Sequence, residues 1–89
     1  MGIVIYTTDT CPYCDQAKKL FNRKKVMYQE HDVSNNPTQR QALIEKSNGL
    51  RTVPQIFIDG QHTGGYDALS KLDMQGKLDE LIKPHIVAQ

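Results

Sequence analysis

The strongest constraint on the fold lies between residues 3 and 33, which read strand, helix, strand. Ile3 to Thr7 is a short run of β-branched and aromatic residues, the pattern of a buried strand. Thr8-Asp9-Thr10 is polar turn material. A helix opens near Cys11, with Pro12 in its first turn, where a missing N–H costs nothing. Cys14, Ala17, Leu20 and Phe21 recur at helical spacing and define one buried face. Lys18, Lys19, Arg23, Lys24 and Lys25 crowd the helix's second half, where positive charge suits the macrodipole. Val26 to Val33 then predicts a second strand. A strand, helix and strand in this order close as a parallel βαβ unit with a right-handed crossover.

The remainder must add to that unit. Asn36-Pro37 is a cap followed by a first-turn proline, predicting a second helix to about Ser47, with Leu43 and Ile44 on its inner face. Gln55 to Ile58 predicts a third strand. Asp59-Gly60 predicts a tight hairpin turn into a fourth strand, Gln61 to Gly64. Tyr66 to Asp73 predicts a third helix with Leu69 and Leu72 inward, and Leu78 to Ile82 a terminal helical turn or two closed by Pro84. The expected fold class is α/β, in the order β-α-β-α-β-β-α, with a mixed four-stranded sheet flanked by helices on both faces. Phe21 and Phe57 are expected in the core, Tyr6 and Tyr28 in or beside it. Met27 and Met74 are expected as packing residues, and His31, His62 and His85 as surface or edge residues.

At 89 residues the expectation is a single domain, residues 1–89, with one modest core. A net charge of +1 supplies no global field to recruit nucleic acid or an anionic membrane. No segment approaches the ~18 apolar residues of a membrane span. Met1 to Tyr6 has neither the basic flank nor the apolar length of a signal peptide, and Tyr6 stands where a myristoylation signal wants Ser or Thr. The expected location is cytoplasmic, where two cysteines are rarely a structural staple.

The two are Cys11 and Cys14, in Cys11-Pro12-Tyr13-Cys14 at the strand-to-helix junction, where such spacing reads as a redox pair. One helical turn separates them, close enough to bridge with little backbone movement. Cys11 lies at the helix start, where free N–H groups favour an anion. Cys14 lies one turn inside, on the apolar face, so burial opposes its ionisation. The helix terminus contributes up to about 2 kcal/mol, roughly one and a half pKa units below a free thiol at about 8.5. A zinc site needs about four ligands. His31, His62 and His85 are the available additions, and none is spaced as a partner, so no metal is expected.

Three blocks, Thr10-Cys11-Pro12-Tyr13-Cys14, Thr52-Val53-Pro54-Gln55-Ile56-Phe57-Ile58 and Gly64-Gly65-Tyr66-Asp67, resemble the glutaredoxin family in order and spacing. Thioredoxins carry Trp-Cys-Gly-Pro-Cys, and this chain has no tryptophan. The resemblance implies a thioredoxin-like fold and a cis peptide before Pro54. It implies Cys11 and Cys14 as catalytic residues and a glutathione site drawn from Tyr13, Arg40, Arg51, Thr52, Val53, Pro54, Gly65, Tyr66 and Asp67. In that scheme Val53 offers its main chain to an extended substrate, as an added strand would use it. Asp67 takes the glutathione ammonium, and the N–H groups of Tyr66 and Asp67 its neighbouring carboxylate. Arg40 and Arg51 are candidate cations for the glycyl carboxylate, or plain surface charges. Tyr13 either flanks the glutathione chain or stands as an exposed ring.

Two departures matter. Many family members carry Lys where this chain has Thr8, and often a second acid where it has Ala68. Cys11 is therefore expected to be less acidic than in lysine-bearing relatives unless Arg40 or Arg51 compensates. A thiolate absorbance titration giving a pKa well below about 5 would refute that. The implied activity is glutathione-dependent reduction of protein disulfides and of glutathione mixed disulfides. Glutathione is then a co-substrate, with no tightly bound cofactor. Glutathione reductase and NADPH supply electrons indirectly, disulfide-bonded or glutathionylated proteins are the partners, and the chain is a monomer. The alternatives are a glutathione-ligated [2Fe–2S] carrier, in which Gly or Ser usually stands where this chain has Pro12, and a redox-sensing module without turnover.

Overall fold

A computed structural model describes residues 2–49 and 52–86. The elements run β1 (Ile3–Thr7), α1 (Pro12–Arg23), β2 (Tyr28–Asp32), α2 (Pro37–Lys46), β3 (Gln55–Ile58), β4 (Gln61–Gly64), α3 (Tyr66–Met74) and α4 (Lys77–Ile82), then a 3₁₀ turn at Lys83–His85. The sheet has the order β2-β1-β3-β4. β1 and β2 run parallel, with Ile3 opposite Tyr28. β3 is antiparallel to β1, with Ile5 opposite Ile56, and β4 is antiparallel to β3. Asp59 and Gly60 carry φ of 52° and 84°, the paired positive values that a two-residue hairpin needs to match strand twist.

Strand alternation selects the core. Ile3, Ile5, Ile56 and Ile58 face Ala17, Leu20 and Phe21 of α1, Leu69 of α3, and Leu78 and Ile82 of α4. Fully burying a side chain such as Phe21 or Leu78 stabilises by about 1.5–3 kcal/mol. Lys24 at the C-cap of α1 locks the far end of this layer, its Nζ 2.8 Å from Asp73 and 2.9 Å from Asp79. Those two carboxylates, Asp73 first, hold the Lys24 ammonium above its ordinary pKa.

The opposite face corrects an expectation. Phe57 does not join the core; as the residue between Ile56 and Ile58 it must point the other way. There it meets Tyr6 edge-on at 5.7 Å and the His62 ring at 5.0 Å, while Tyr6 stacks on His31 at 5.3 Å. Lys46, at the end of α2, lines a groove on this face with Val4, Tyr6 and Phe57.

Further corrections concern the second strand and the two methionines. The second strand is shorter than the expected 26–33, because Val26 leaves the ladder to bridge Ile86 near the other end of the chain. Met27, just outside the ladder, is 71 % exposed. Met74 is 85 % exposed; it lies five residues past Leu69, about 140° round the helix from the buried face. The terminal helical turns are present as expected, as α4, set off from α3 by Gly76 at φ 74°.

Among the described residues no helix is long and apolar enough to cross a membrane.

Candidate active site

The site forms where β1 hands the chain to α1. Thr10 sits at φ 52°, a conformation that costs a β-branched residue about 1–3 kcal/mol. The loop is tied down next to it: the Asp9 N–H donates to Ser34 Oγ at 2.6 Å. Ser34 in turn donates its hydroxyl and its N–H to Asp32 Oδ1, at 2.6 and 2.9 Å. These bonds, the hydroxyl first, hold the Asp32 carboxyl below its usual range.

Cys11 is the N-cap of α1, and its sulfur accepts the Cys14 N–H at 3.1 Å. Oxygen acceptors from Ser, Thr, Asn or Asp usually hold this position. Here the helix delivers its free N–H and positive end to a sulfur. Pro12 follows at the first helical position. Cys11 and Cys14 are joined as a disulfide, with Cα atoms 5.2 Å apart. Cys14 is 1 % exposed, whereas Cys11 is half-buried. The asymmetry expected from their positions is present: one sulfur is reachable and the other sealed.

Across from Cys11 stands the 52–55 segment. The Val53–Pro54 peptide is cis. The Val53 carbonyl oxygen lies 3.8 Å from Cys11 Sγ. Gln55 holds this segment from behind. It is 1 % exposed, yet all its polar atoms are satisfied. Its Nε2 donates to the Thr52 carbonyl at 2.9 Å and approaches Thr52 Oγ1 at 3.2 Å. Its Oε1 lies 2.6 Å from His62 Nε2. With the amide N–H groups turned to Thr52, the carbonyl must accept, so His62 carries its proton on Nε2. His62 thus lies half-buried on the edge strand β4, an edge residue as expected, and also braces Gln55. Gln55→Leu is expected to strand the Thr52 carbonyl and His62 Nε2, costing about 1–3 kcal/mol, read as a lower urea midpoint.

A groove of about 530 Å³ opens beside this segment, lined by Tyr13, Thr52 to Gln55 and Gly64 to Ala68. One wall is the start of α3. Its cap is Gly65, and no side chain bonds its first turn, in contrast to Asn36 Oδ1 on Gln39 N–H in α2. Free N–H groups at a helix start favour a carboxylate. Gly64 sits at φ 117°, and a Cβ there would lie 3.1 Å from Ala68 Cβ. A Cβ on Gly65 would lie 3.3 Å from the Pro54 carbonyl oxygen. The glycines therefore let α3 close on the cis-proline segment. Tyr13 is 61 % exposed and stacks on Tyr66 at 6.2 Å.

Of the expected site residues, Tyr13, Thr52, Val53, Pro54, Gly65, Tyr66 and Asp67 share this groove. Arg40, half-buried on α2, is not among its lining residues, and Arg51 lies outside the described residues. Gln55, Gly64 and Ala68 line it as well and were not expected to. Gln55 and Gly64 stand inside the recognisable blocks, so their position was the available signal.

A charged cluster braces the other flank. Thr7, at the end of β1, donates to Glu30 Oε2 at 2.7 Å, and Lys18 of α1 reaches the same oxygen at 3.1 Å. The Glu30 carboxyl is held below its usual range, first by Thr7 and then by Lys18, against its burial. A lowered carboxylate pKa stabilises the fold fully above the ordinary value of 4.5 and is lost as pH falls through the lowered one. Glu30→Gln is expected to weaken the fold at neutral pH and to converge with the parent once acid has protonated Glu30, as followed by urea unfolding across that range.

The family model for glutaredoxins matches residues 3–63. The chain belongs to the glutaredoxin family. Glutaredoxin 3 of Escherichia coli K12 is 51 % identical over 82 residues, covering 92 % of this chain and 98 % of that one. Glutaredoxin 1 of Rickettsia typhi is 50 % identical over 82 residues, covering 91 % and 79 %. Among solved structures, a buckwheat glutaredoxin–glutathione complex superposes with a TM-score of 0.87 at 31 % identity, covering 96 % of this chain and 81 % of that one. The solution structure of a Brucella melitensis glutaredoxin gives 0.82 at 44 % identity, covering 93 % and 89 %. This glutaredoxin has the family's thioredoxin-like fold and is a thiol–disulfide oxidoreductase with Cys11 and Cys14 as its redox pair.

Proposed function

We propose that the chain reduces both glutathione mixed disulfides and protein disulfides, with Cys11 as the attacking sulfur and glutathione as the electron source. The observation that carries this reading is the Cys11 sulfur itself. It caps α1, is the reachable member of the pair, and lies against Val53, which also lines the groove.

In the first route the Cys11 thiolate attacks the glutathione sulfur of a mixed disulfide. The protein thiolate leaves and takes a proton, and Cys11 is glutathionylated. A second glutathione thiolate attacks that glutathionyl sulfur, releasing glutathione disulfide and the Cys11 thiolate. In the second route Cys11 attacks a protein disulfide and is held to the protein. Cys14 then attacks the Cys11 sulfur, the reduced protein leaves, and the Cys11–Cys14 disulfide remains. Two glutathiones reduce it.

The γ-glutamyl end of glutathione fits the start of α3. Its carboxylate meets the uncapped N–H groups of Tyr66 and Asp67, and its ammonium meets the Asp67 carboxylate. The cysteinyl main chain pairs with Val53. Tyr13 and Thr52 flank it beside Pro54 and Gly65, and Arg40 and Arg51 are the candidate cations for the glycyl carboxylate. The buckwheat relative binds glutathione on the same fold. A reducing cytoplasm suits a thiol kept ready for attack.

The test is turnover of the cysteamine–glutathione mixed disulfide, coupled to glutathione reductase and NADPH. Glutathione-dependent NADPH consumption above the uncatalysed rate supports the reading; none refutes it. A brown protein after anaerobic purification, bleached by chelation, favours the cluster carrier instead.

A further inference from the structure

Beyond Tyr66 the groove beside Cys11 runs into a second one. It is about 540 Å³ in volume and is lined by Gln16, Lys19, Leu20, Asn22, Arg23 and Tyr66. Tyr66 is common to both, and its ring stacks on Tyr13, two residues past Cys11. Tyr13, Gln16, Lys19, Leu20 and Arg23 recur at intervals of three and four, so one face of α1 carries the path from the reactive sulfur to the far end of the helix.

The charge on the second groove is one-sided. Of the basic residues in the second half of α1, Lys18 is spent on Glu30 and Asp15, and Lys24 on Asp73 and Asp79. Lys19 and Arg23 are exposed, and no ion pair joins either among the described residues. No acid lines the groove they share. With a net charge of only +1 the chain has no general basic field, so this local pair is what a partner would sense.

We propose that this second groove docks the chain of a disulfide-bonded protein substrate, and that Lys19 and Arg23 select acidic residues near its reacting cysteine. The proposal rests on the oxidoreductase reading above and adds a partner chemistry to it. Spacing sets the register. At about 1.5 Å per helical residue, Lys19 lies roughly 12 Å and Arg23 roughly 18 Å beyond Cys11. An extended peptide covers about 3.3 Å per residue. The favoured acids therefore fall about four to six positions from the substrate cysteine, past the stretch that crosses the first groove and the Tyr66 ring.

The test compares two disulfide-looped peptides of equal length, with Glu or Lys at those positions and otherwise identical. Each is reduced by the intact chain at low and at high salt, coupled to glutathione reductase. The cysteamine–glutathione mixed disulfide is the small control. The Glu peptide is expected to have a kcat/KM about tenfold higher at low salt, the size of two exposed ion pairs, with the gap narrowing in salt. In Lys19→Glu/Arg23→Glu the preference should reverse, and in Lys19→Gln/Arg23→Gln it should vanish, while the small control stays at the parent rate in both. Equal reduction of the two peptides by the parent, or a preference that survives charge reversal, overturns the docking surface while the control still reports an active oxidoreductase. A parent chain that fails on the control as well sinks the underlying reading and the docking surface together.

Discussion

Cys11→Ser is expected to lose all disulfide turnover, whereas Cys14→Ser is expected to keep one of the two activities and lose the other. The difference follows from where each sulfur sits. Cys11 receives the Cys14 N–H and the positive end of α1, and both favour its anion. A serine hydroxyl in the same place stays protonated at neutral pH and cannot start the exchange. Cys14 is 1 % exposed, and in the proposed route it serves only to attack the Cys11 sulfur from within. Without it, glutathione must resolve every intermediate. A small glutathione mixed disulfide needs no other resolving group, so Cys14→Ser should still turn it over. A protein disulfide loses its fast internal release, and mixed with the variant before glutathione is added it should leave an enzyme–substrate adduct. The measurement pairs the coupled glutathione assay with a non-reducing gel. Activity surviving in Cys11→Ser, or a Cys14→Ser variant inert toward both substrates, contradicts the assignment.

The second large effect is expected at Asp67. In the proposed pose its carboxylate alone faces the glutathione ammonium, because the next groove residue, Ala68, carries no charge. A hydrogen bond to a charged group contributes about 1.5–3 kcal/mol, equivalent to roughly 10–100-fold in affinity. Asp67 is exposed, so screening puts the expected effect near the low end. Asp67→Asn should raise the KM for glutathione about tenfold and leave kcat at saturation near the parent value, since the residue does not touch the reacting sulfurs. The fold should tolerate the change, because Asn is accepted in a first helical turn. An unchanged KM would remove Asp67 from the pose. A matching fall in kcat would place it at the chemistry instead.

Much of this architecture was readable in order. Strand alternation, helical spacing, the two proline-marked helix starts and the Asp59–Gly60 turn are local signals, and each reported its own element. Local signals failed where a distant segment intervened. Val26 leaves the second strand because Ile86, sixty residues on, bridges it, and no window around Val26 contains that information. Phe57 is a different case. Its hydrophobicity suggested the core, while its position between two isoleucines already placed it on the other face.

In the active site the chemically distinctive residues were legible and their supports were not. Cys11, Pro54 and Asp67 stand in dense motifs. Gln55 and His62 become meaningful only once the β3–β4 pairing sets one against the other behind Thr52. The Thr7–Glu30–Lys18 cluster likewise joins three elements.

Part of the reactive groove is peptide backbone. Val53 presents its carbonyl to the sulfur, Pro54 its carbonyl to the closing helix, and Gly64 and Gly65 contribute no side chain at all. A codon change rewrites side chains and leaves amide groups as they were. A change in what the groove accepts is therefore to be sought in its side chains, at Tyr13, Thr52 and Ala68.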